Sequence, residues 1–392
     1  MVNLLRSRSE RLFIAIVLLV VAIQAIVIGN RRLTHGGDFD VSREFGRRLL
    51  AGEPLYAGGL HYPYMPAAAL YFAPLALLPP GLALALRYAT ALACLWLTLR
   101  LLHRMVATES PTPLPRLALA APTLLLASHY LLRDLDDGGP HLILLAMLMG
   151  GIFSIWRGRT LAGAGWLGLA AALKASNALF VPFFVWRRQW NLAAATAAAL
   201  LFWTLLPLAW MGSASWWLHQ REWAAIAAAS ATGAPEAGAR ESEERVQNQA
   251  LRPVLERYFA PLGARLPAYM IVLALLGLVG WWSRPSQAHP PAWLAEASAV
   301  LILSVLLSPL AWVQHLVLLI PALYLIVAAQ RAARLGAGAT MAMAIYFVLA
   351  VLLNRELIGR GAYLVLLAHG LHTACMLLTL SVLMLCRPRS PS

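Results

Sequence analysis

The chain has 392 residues, 60% of them hydrophobic and only 12% charged, with a formal net charge of +14 and a mean hydropathy of +0.69. So few charges cannot cover a soluble globule, so the composition excludes a soluble domain and requires a polytopic membrane protein. The basic excess would suggest nucleic acid in a soluble chain. Here the arginines sit between apolar runs, where they set topology and meet lipid phosphates, and no nucleic-acid partner is expected.

Residues 12–28 form the first apolar run, behind Arg6, Arg8 and Arg11. No small-residue cleavage site precedes Asn30, so the run reads as an uncleaved anchor with a cytoplasmic N-terminus and an external loop over 30–66. Within that loop, helical spacing over 41–50 puts Phe45, Leu49 and Leu50 on one face and Arg43, Arg47 and Arg48 towards the other. This predicts an amphipathic helix able to lie on a membrane surface. Gly52 supplies a C-cap, Pro54 a stop, and Asp40 or Ser42 an N-cap. Asp38 is left without a structural task, just ahead of the helix start.

Pro74, Pro79, Pro80 and Gly81 divide 66–101 into a short kinked piece and one full span ending near Arg100 and Arg104. Spans over 116–132 and 142–156 flank the turn RDLDDGGPH at 133–141. With Arg157 and Arg159 inside, Asp134, Asp136 and Asp137 fall outside, on the face of Asp38. Residues 161–186 are too long for one ordinary crossing and carry Lys174 in their middle. Two short helices turning near Lys174 are expected in preference to one tilted helix, because a charge at membrane depth is costly without a wet cavity or a partner.

A span over 192–211 leads into the longest polar stretch, 212–262, whose small-residue run 224–239 reads as mobile loop. Spans near 264–282, 292–307, 312–329, 339–353 and 363–385 follow. The expectation is a single all-α membrane domain over 1–392, a bundle of about ten to thirteen transmembrane or re-entrant helices. A break is seen at Lys174, with no counterpart in the C-terminal half.

Cys94, Cys375 and Cys386 lie inside or at the end of apolar segments without paired spacing, and the acids and histidines show no ligand spacing. No disulfide, metal or cofactor is expected. The external segments instead offer the parts for a reaction at the lipid–water boundary. Asp38 is a candidate general base for an acceptor hydroxyl. Arg43, Arg47 and Lys174 are candidates for gripping a phosphate, the arginines through a bidentate fork; their bland alternative is a basic face on lipid headgroups or a snorkelling lysine. Asn248 and Gln249 are candidates for hydrogen-bonding a sugar. Asp40 suits a cap or an arginine partner, while His315, alone at the start of an apolar helix, suits either a structural or a site role. A transporter or flippase of a lipid-linked saccharide would use the same basic cavity without making a bond.

The order of several short motifs along nearly the whole chain carries more: DFDV at 38–41, LAGEPLY at 50–56, YPYMP at 62–66, APLALLP at 73–79, GLAAALK at 168–174, NQ at 248–249 and SP…W…H over 308–315. In this it resembles glycosyltransferase family 87, membrane enzymes of the GT-C superclass. The resemblance implies a GT-C-like fold and transfer of a sugar, a hexose such as mannose, from a polyprenyl-phosphate donor to a hydroxyl of a glycolipid or glycan, with inversion. It places the site on the external, periplasmic face of a bacterial-type cytoplasmic (inner) membrane. It assigns the base to Asp38 and the family's lysine and histidine to Lys174 and His315, the latter with the donor phosphate, and leaves Asn248, Gln249, Asp40 and Gln314 as acceptor or sugar contacts. Departures from the family pattern are Ser42 in place of an aromatic, Gly138-Gly139-Pro140-His141 in place of Gly-Gln-x-Asn, Ala175 in place of a proline, and Gln314-His315 in place of a histidine pair. They leave room for a sugar or acceptor other than mannose and inositol mannoside.

Overall fold

The computed structural model describes residues 19–20, 22–29, 37–57, 64–107, 115–232, 245–259, 266–284 and 290–386. Residues 12–18 and 21 of the first anchor, the flanking arginines Arg6, Arg8, Arg11, Arg31 and Arg32, residues 62–63 and 233–239 lie outside them. Every regular element among the described residues is a helix, and the protein is an all-α polytopic membrane protein. Pro80–Ala107 and Val313–Arg331 are long and apolar enough to cross a bilayer alone. Three further pairs pass as bent units: Ser128–Asp137 with His141–Trp156 at 117°, Trp190–Leu205 with Leu208–Ser230 at 89°, and Arg360–Ala368 with Leu371–Leu385 at 57°. Seven shorter apolar helices complete the set.

The centre of the bundle is Val313–Arg331, 89% buried over its apolar window, whereas Pro80–Ala107 is only 28% buried and turns most of its surface outward. Ala322, Leu323 and Tyr324 have no exposed surface. Without a hydrophobic drive between helices in lipid, close approach depends on small residues. Thr160–Leu173 shows this: a side chain at Gly168 would meet Ala199 and the backbone of Leu200 at 2.6 Å, and one at Gly163 would lie 3.0 Å from the Gly151 carbonyl. Trp203 Nε1 also donates to Gly165 O across this seam.

Several breaks were not legible beforehand. The expected break at Lys174 is present, the residue standing extended between Thr160–Leu173 and the 3₁₀ turn Ala175–Leu179. The C-terminal half does have counterparts, contrary to expectation: extended Trp312 precedes the 3₁₀ turn Val313–Leu319, and left-handed Gly370 divides what looked like one span over 363–385. Nor is 212–262 mainly loop. Leu208–Thr232 is helical, bent at Gly212, and Leu251–Phe259 forms another helix.

The loop helix runs from Asp38 to Ala51, three residues earlier than its periodicity indicated. Its N-cap is Gly37, without a side-chain cap bond, so neither Asp40 nor Ser42 caps it; Ser42 is buried. Gly52 closes it in the left-handed conformation, with cap N–H bonds to Arg48 O and Leu49 O. Its apolar face is not spread on lipid. Phe39, Phe45 and Leu49 are buried, and Gly46 lies against Phe72, where an added Cβ would stand 2.5 Å from the carbonyl carbon. The helix is therefore clamped to Ala67–Ala76 and belongs to the core.

Candidate active site

Asp38 sits in the first turn of the loop helix, and Gln314 Nε2 donates to its Oδ2 at 3.3 Å. The contact joins two segments 276 residues apart in sequence. On one side of Asp38 lies an open cleft of about 140 Å³, with Trp312, Gln314, Arg355 and Arg360 among its walls. A much tighter pocket of about 10 Å³ is lined by Lys174, His141, His315, Ser176, Ser304 and Ser308. Lys174 feels the charges of both Asp134 and Asp38, and its Nζ lies 5.7 Å from the centre of the Tyr64 ring.

The turn after Ser128–Asp137 builds the inner wall. Gly138 takes a left-handed φ of +70°, and a Cβ there would stand 2.8 Å from Phe39 Cβ. Only glycine meets both demands. The resulting reversal brings His141 back over the preceding helix, where its Nδ1 lies 2.8 Å from Asp134 Oδ1. Leu142 N–H donates to the other oxygen at 3.3 Å. Tyr64 O–H meets His141 Nε2 at 3.0 Å. The pattern assigns the His141 hydrogen to Nδ1, facing the carboxylate, and leaves Nε2 to accept from the tyrosine.

His315 shows the opposite tautomer. Its Nδ1 accepts the Trp312 N–H at 3.1 Å, so in the neutral ring the hydrogen is on Nε2. The His141 and His315 ring centres are 4.3 Å apart. Val313–Leu319 carries Gln314 and His315 together, and this unwound turn sends one to Asp38 and the other to the Lys174 pocket.

Asp134, His141, Tyr64 and Arg87 went unrecognised in the sequence as site residues. Arg87 is 4% exposed, its Nε and Nη2 have no hydrogen-bond partner among the described residues, and it acts electrostatically on Asp134. A buried guanidinium survives at such depth because a carboxylate lies near it. An arginine near the start of a 28-residue helix, well apart from Arg100 and Arg104 at its other end, was the available signal.

Other expected contacts are redirected. Arg43 donates to the carbonyls of Leu75 and Leu78, at 3.4 and 2.9 Å, in the last turn of Ala67–Ala76 and just past it. Arg47 is held between Glu44 and Glu53 at 2.7 and 2.6 Å. These arginines bind the loop to itself and to its neighbour, where the sequence suggested a phosphate grip. Asn248 and Gln249, expected as sugar contacts, bond within the protein. Asn248 Oδ1 accepts from Ala250 and Ala311 N–H while its Nδ2 donates to Pro309 O. Gln249 Nε2 donates to Val246 O and Leu367 O, and its Oε1 accepts from His372 N–H. Both amides are spent as internal splices. Asp40 occupies the loop helix's first turn.

The family model for glycosyltransferase family 87 matches residues 62–309. The chain belongs to glycosyltransferase family 87. It is 29% identical over 325 residues to the polyprenol-phosphate-mannose-dependent alpha-(1-2)-phosphatidylinositol mannoside mannosyltransferase of Mycolicibacterium smegmatis, covering 74% of this chain and 70% of that one. No solved structure matches. The protein is thus a multi-pass membrane glycosyltransferase, and membership favours transfer over the carrier reading that its broken helices would otherwise share. Asp38 and His315 lie outside the stretch that the family 87 model matches, while Asp134, His141, Lys174 and Ser308 lie within it.

Proposed function

We propose that the protein moves a sugar, a hexose such as mannose, from a polyprenyl phosphate to a hydroxyl of a glycolipid or glycan on the external face of the bacterial inner membrane, inverting the anomeric centre. The observation that carries this is the position of Asp38, between an open cleft and a buried lysine–histidine pocket. The donor class follows the relative's name. Asp38 takes the proton of the acceptor hydroxyl while the acceptor oxygen bonds to the anomeric carbon from the side opposite the phosphate. The bond from that carbon to the phosphate oxygen breaks, and its electron pair leaves with the polyprenyl phosphate. Lys174 and the Nε2–H of His315 meet the growing charge in a poorly hydrated pocket, where fixed donors count for more than in water. Gln314 orients the carboxylate through Oδ2, and no metal enters the step.

The test is transfer of radiolabelled sugar by purified enzyme in EDTA. Asp38→Asn should lower kcat by about 10²- to 10⁴-fold, the usual worth of a general base, with protein still monodisperse. Lys174→Ala should lower kcat and raise KM for the donor. Unchanged turnover in Asp38→Asn removes it as base, and an unaltered donor KM with normal kcat in Lys174→Ala removes the phosphate role.

A further inference from the structure

The proposed step uses His315 and leaves out a buried carboxylate–imidazole–phenol chain that stands against it. Asp134 has no exposed surface and His141 is buried. The carboxylate holds the ring through Nδ1 at 2.8 Å, and Tyr64 holds it through Nε2 at 3.0 Å. Leu142 N–H fixes the other carboxylate oxygen. Gly139 leaves room for the pair: a Cβ there would stand 2.8 Å from both Cε1 and Nδ1 of His141 and 3.4 Å from Asp134 Oδ1. A satisfied polar network in a low-dielectric interior rigidifies what it touches. Here it touches His315, whose ring centre lies 4.3 Å from that of His141, and both imidazoles line the Lys174 pocket. The Trp312 N–H fixes the His315 tautomer through Nδ1. The plane of the ring is set by the rings against it, His141 and, at 6.4 Å between centres, Trp312.

We infer that His141 is a positioning residue for the transfer step: locked by Asp134 and Tyr64, it holds the His315 ring so that Nε2–H meets the departing phosphate oxygen. This rests on the transfer reading above. The neutral His141 ring has no proton to offer the phosphate, because its Nδ1–H goes to Asp134 and its Nε2 accepts from Tyr64. It therefore acts on the leaving group through His315. A fixed donor aimed at developing charge works because it need not reorganise during the reaction. Charge on the phosphate grows as the bond to the anomeric carbon breaks, so loss of aim falls on kcat more than on binding.

The experiment is a double-mutant cycle on purified full-length enzyme with saturating donor and acceptor. His141→Leu should lower kcat by up to about 100-fold, the cost of a misplacement near 1 Å. KM for both substrates should stay within about twofold, as for an interaction made only in the transition state. His141→Gln should recover much of the loss, since one amide can donate to Asp134 and accept from Tyr64. In a His315→Ala background, His141→Leu should change kcat by less than about threefold, because the ring it steadies is gone. If His141→Leu does not fold, Gly139→Ala, which presses on the same ring, replaces it in the cycle. Wild-type kcat in the His141→Leu enzyme overturns the inference. So does an equal loss in both backgrounds, which is what a role in the fold alone would give, and so does a loss confined to donor KM. Wild-type kcat in His315→Ala alone removes His315 from the transfer reading, and the inference goes with it; Asp38→Asn tests the rest of that reading separately.

Discussion

Glu44 receives hydrogen bonds from Arg47 and Arg48 at 2.7 and 2.9 Å, and its carboxyl is pulled down to about 2, first by the Arg47 bond. Glu53 is lowered by the same guanidinium, whose own acidity is correspondingly weakened. The groups lie outside the spans and are partly exposed, so each pair alone contributes little. Their sum holds the loop that carries Asp38. A carboxyl with a depressed folded pKa stabilises fully above its unfolded value, here the ordinary 4.5, and loses that contribution as pH falls towards 2. The difference in Tm between wild type and Glu44→Gln in detergent should therefore be greatest above pH 4.5 and close to zero near pH 2. A difference independent of pH would show that the network does not hold the loop. At this same scale the arginines of 43–48 mark a limit of sequence reading: a guanidinium in a loop next to lipid has one sequence signature whether it meets a phosphate, a carboxylate or a carbonyl. Only the partners of Arg43 and Arg47, supplied by Leu75, Leu78, Glu44 and Glu53, decide it.

Among elements, the seam between Asp38–Ala51 and Ala67–Ala76 sets where the proposed base stands. At Gly46 the obstruction to a side chain is backbone: Phe72 C, Phe72 O and Ala73 N at 2.5, 2.6 and 2.7 Å. Backbone cannot swing aside as a flexible side chain can. Gly46→Val should cost about 1–3 kcal/mol or more, the range for overpacking a tight core, and lower turnover at the same time by displacing Asp38. Gly81→Ala, in open space, should leave both unchanged. Thermal unfolding and transfer rates measured on the two variants check this, and a Gly46→Val protein with wild-type Tm would separate the seam from the site. The amphipathic pattern of this helix was legible, as were the break at Lys174 and most spans, because periodicity, glycine and apolar length act locally. What covers the apolar face was not, since protein and lipid ask for the same stripe. The Asp134–His141–Tyr64 chain was hidden for a related reason. It depends on a 117° reversal that a Gly-Gly-Pro sequence permits without aiming, and on a tyrosine 77 residues away.

For the whole molecule, chain direction bears on which face the site occupies. His141–Trp156 starts at the site and ends before Arg157 and Arg159, and Val313–Arg331 starts there and ends at Arg331 and Arg334. At 1.5 Å per residue these arginines lie roughly 24 and 28 Å from the site along the helices, close to the thickness of a hydrocarbon core. Pro80–Ala107 likewise starts beside Leu78, which Arg43 holds, and ends with Arg104. Arginine-rich ends favour the cytoplasm, so all three helices support the outward-facing site proposed above. Three of the arginines on the site side have other work: Arg43 and Arg47 serve carbonyls and carboxylates, and Arg133 serves Asp136 and Asp137. With Cys94, Cys375 and Cys386 replaced by alanine, a cysteine at Glu356→Cys, in the cleft wall, should react with a membrane-impermeant maleimide in intact cells. One at Arg159→Cys should react only after permeabilisation. Both positions are exposed, so protection from label reports sidedness and not burial. The reverse pattern would put Asp38 in the cytoplasm, facing soluble nucleotide sugars in place of an externally presented lipid donor, and the proposed reaction would lose its setting.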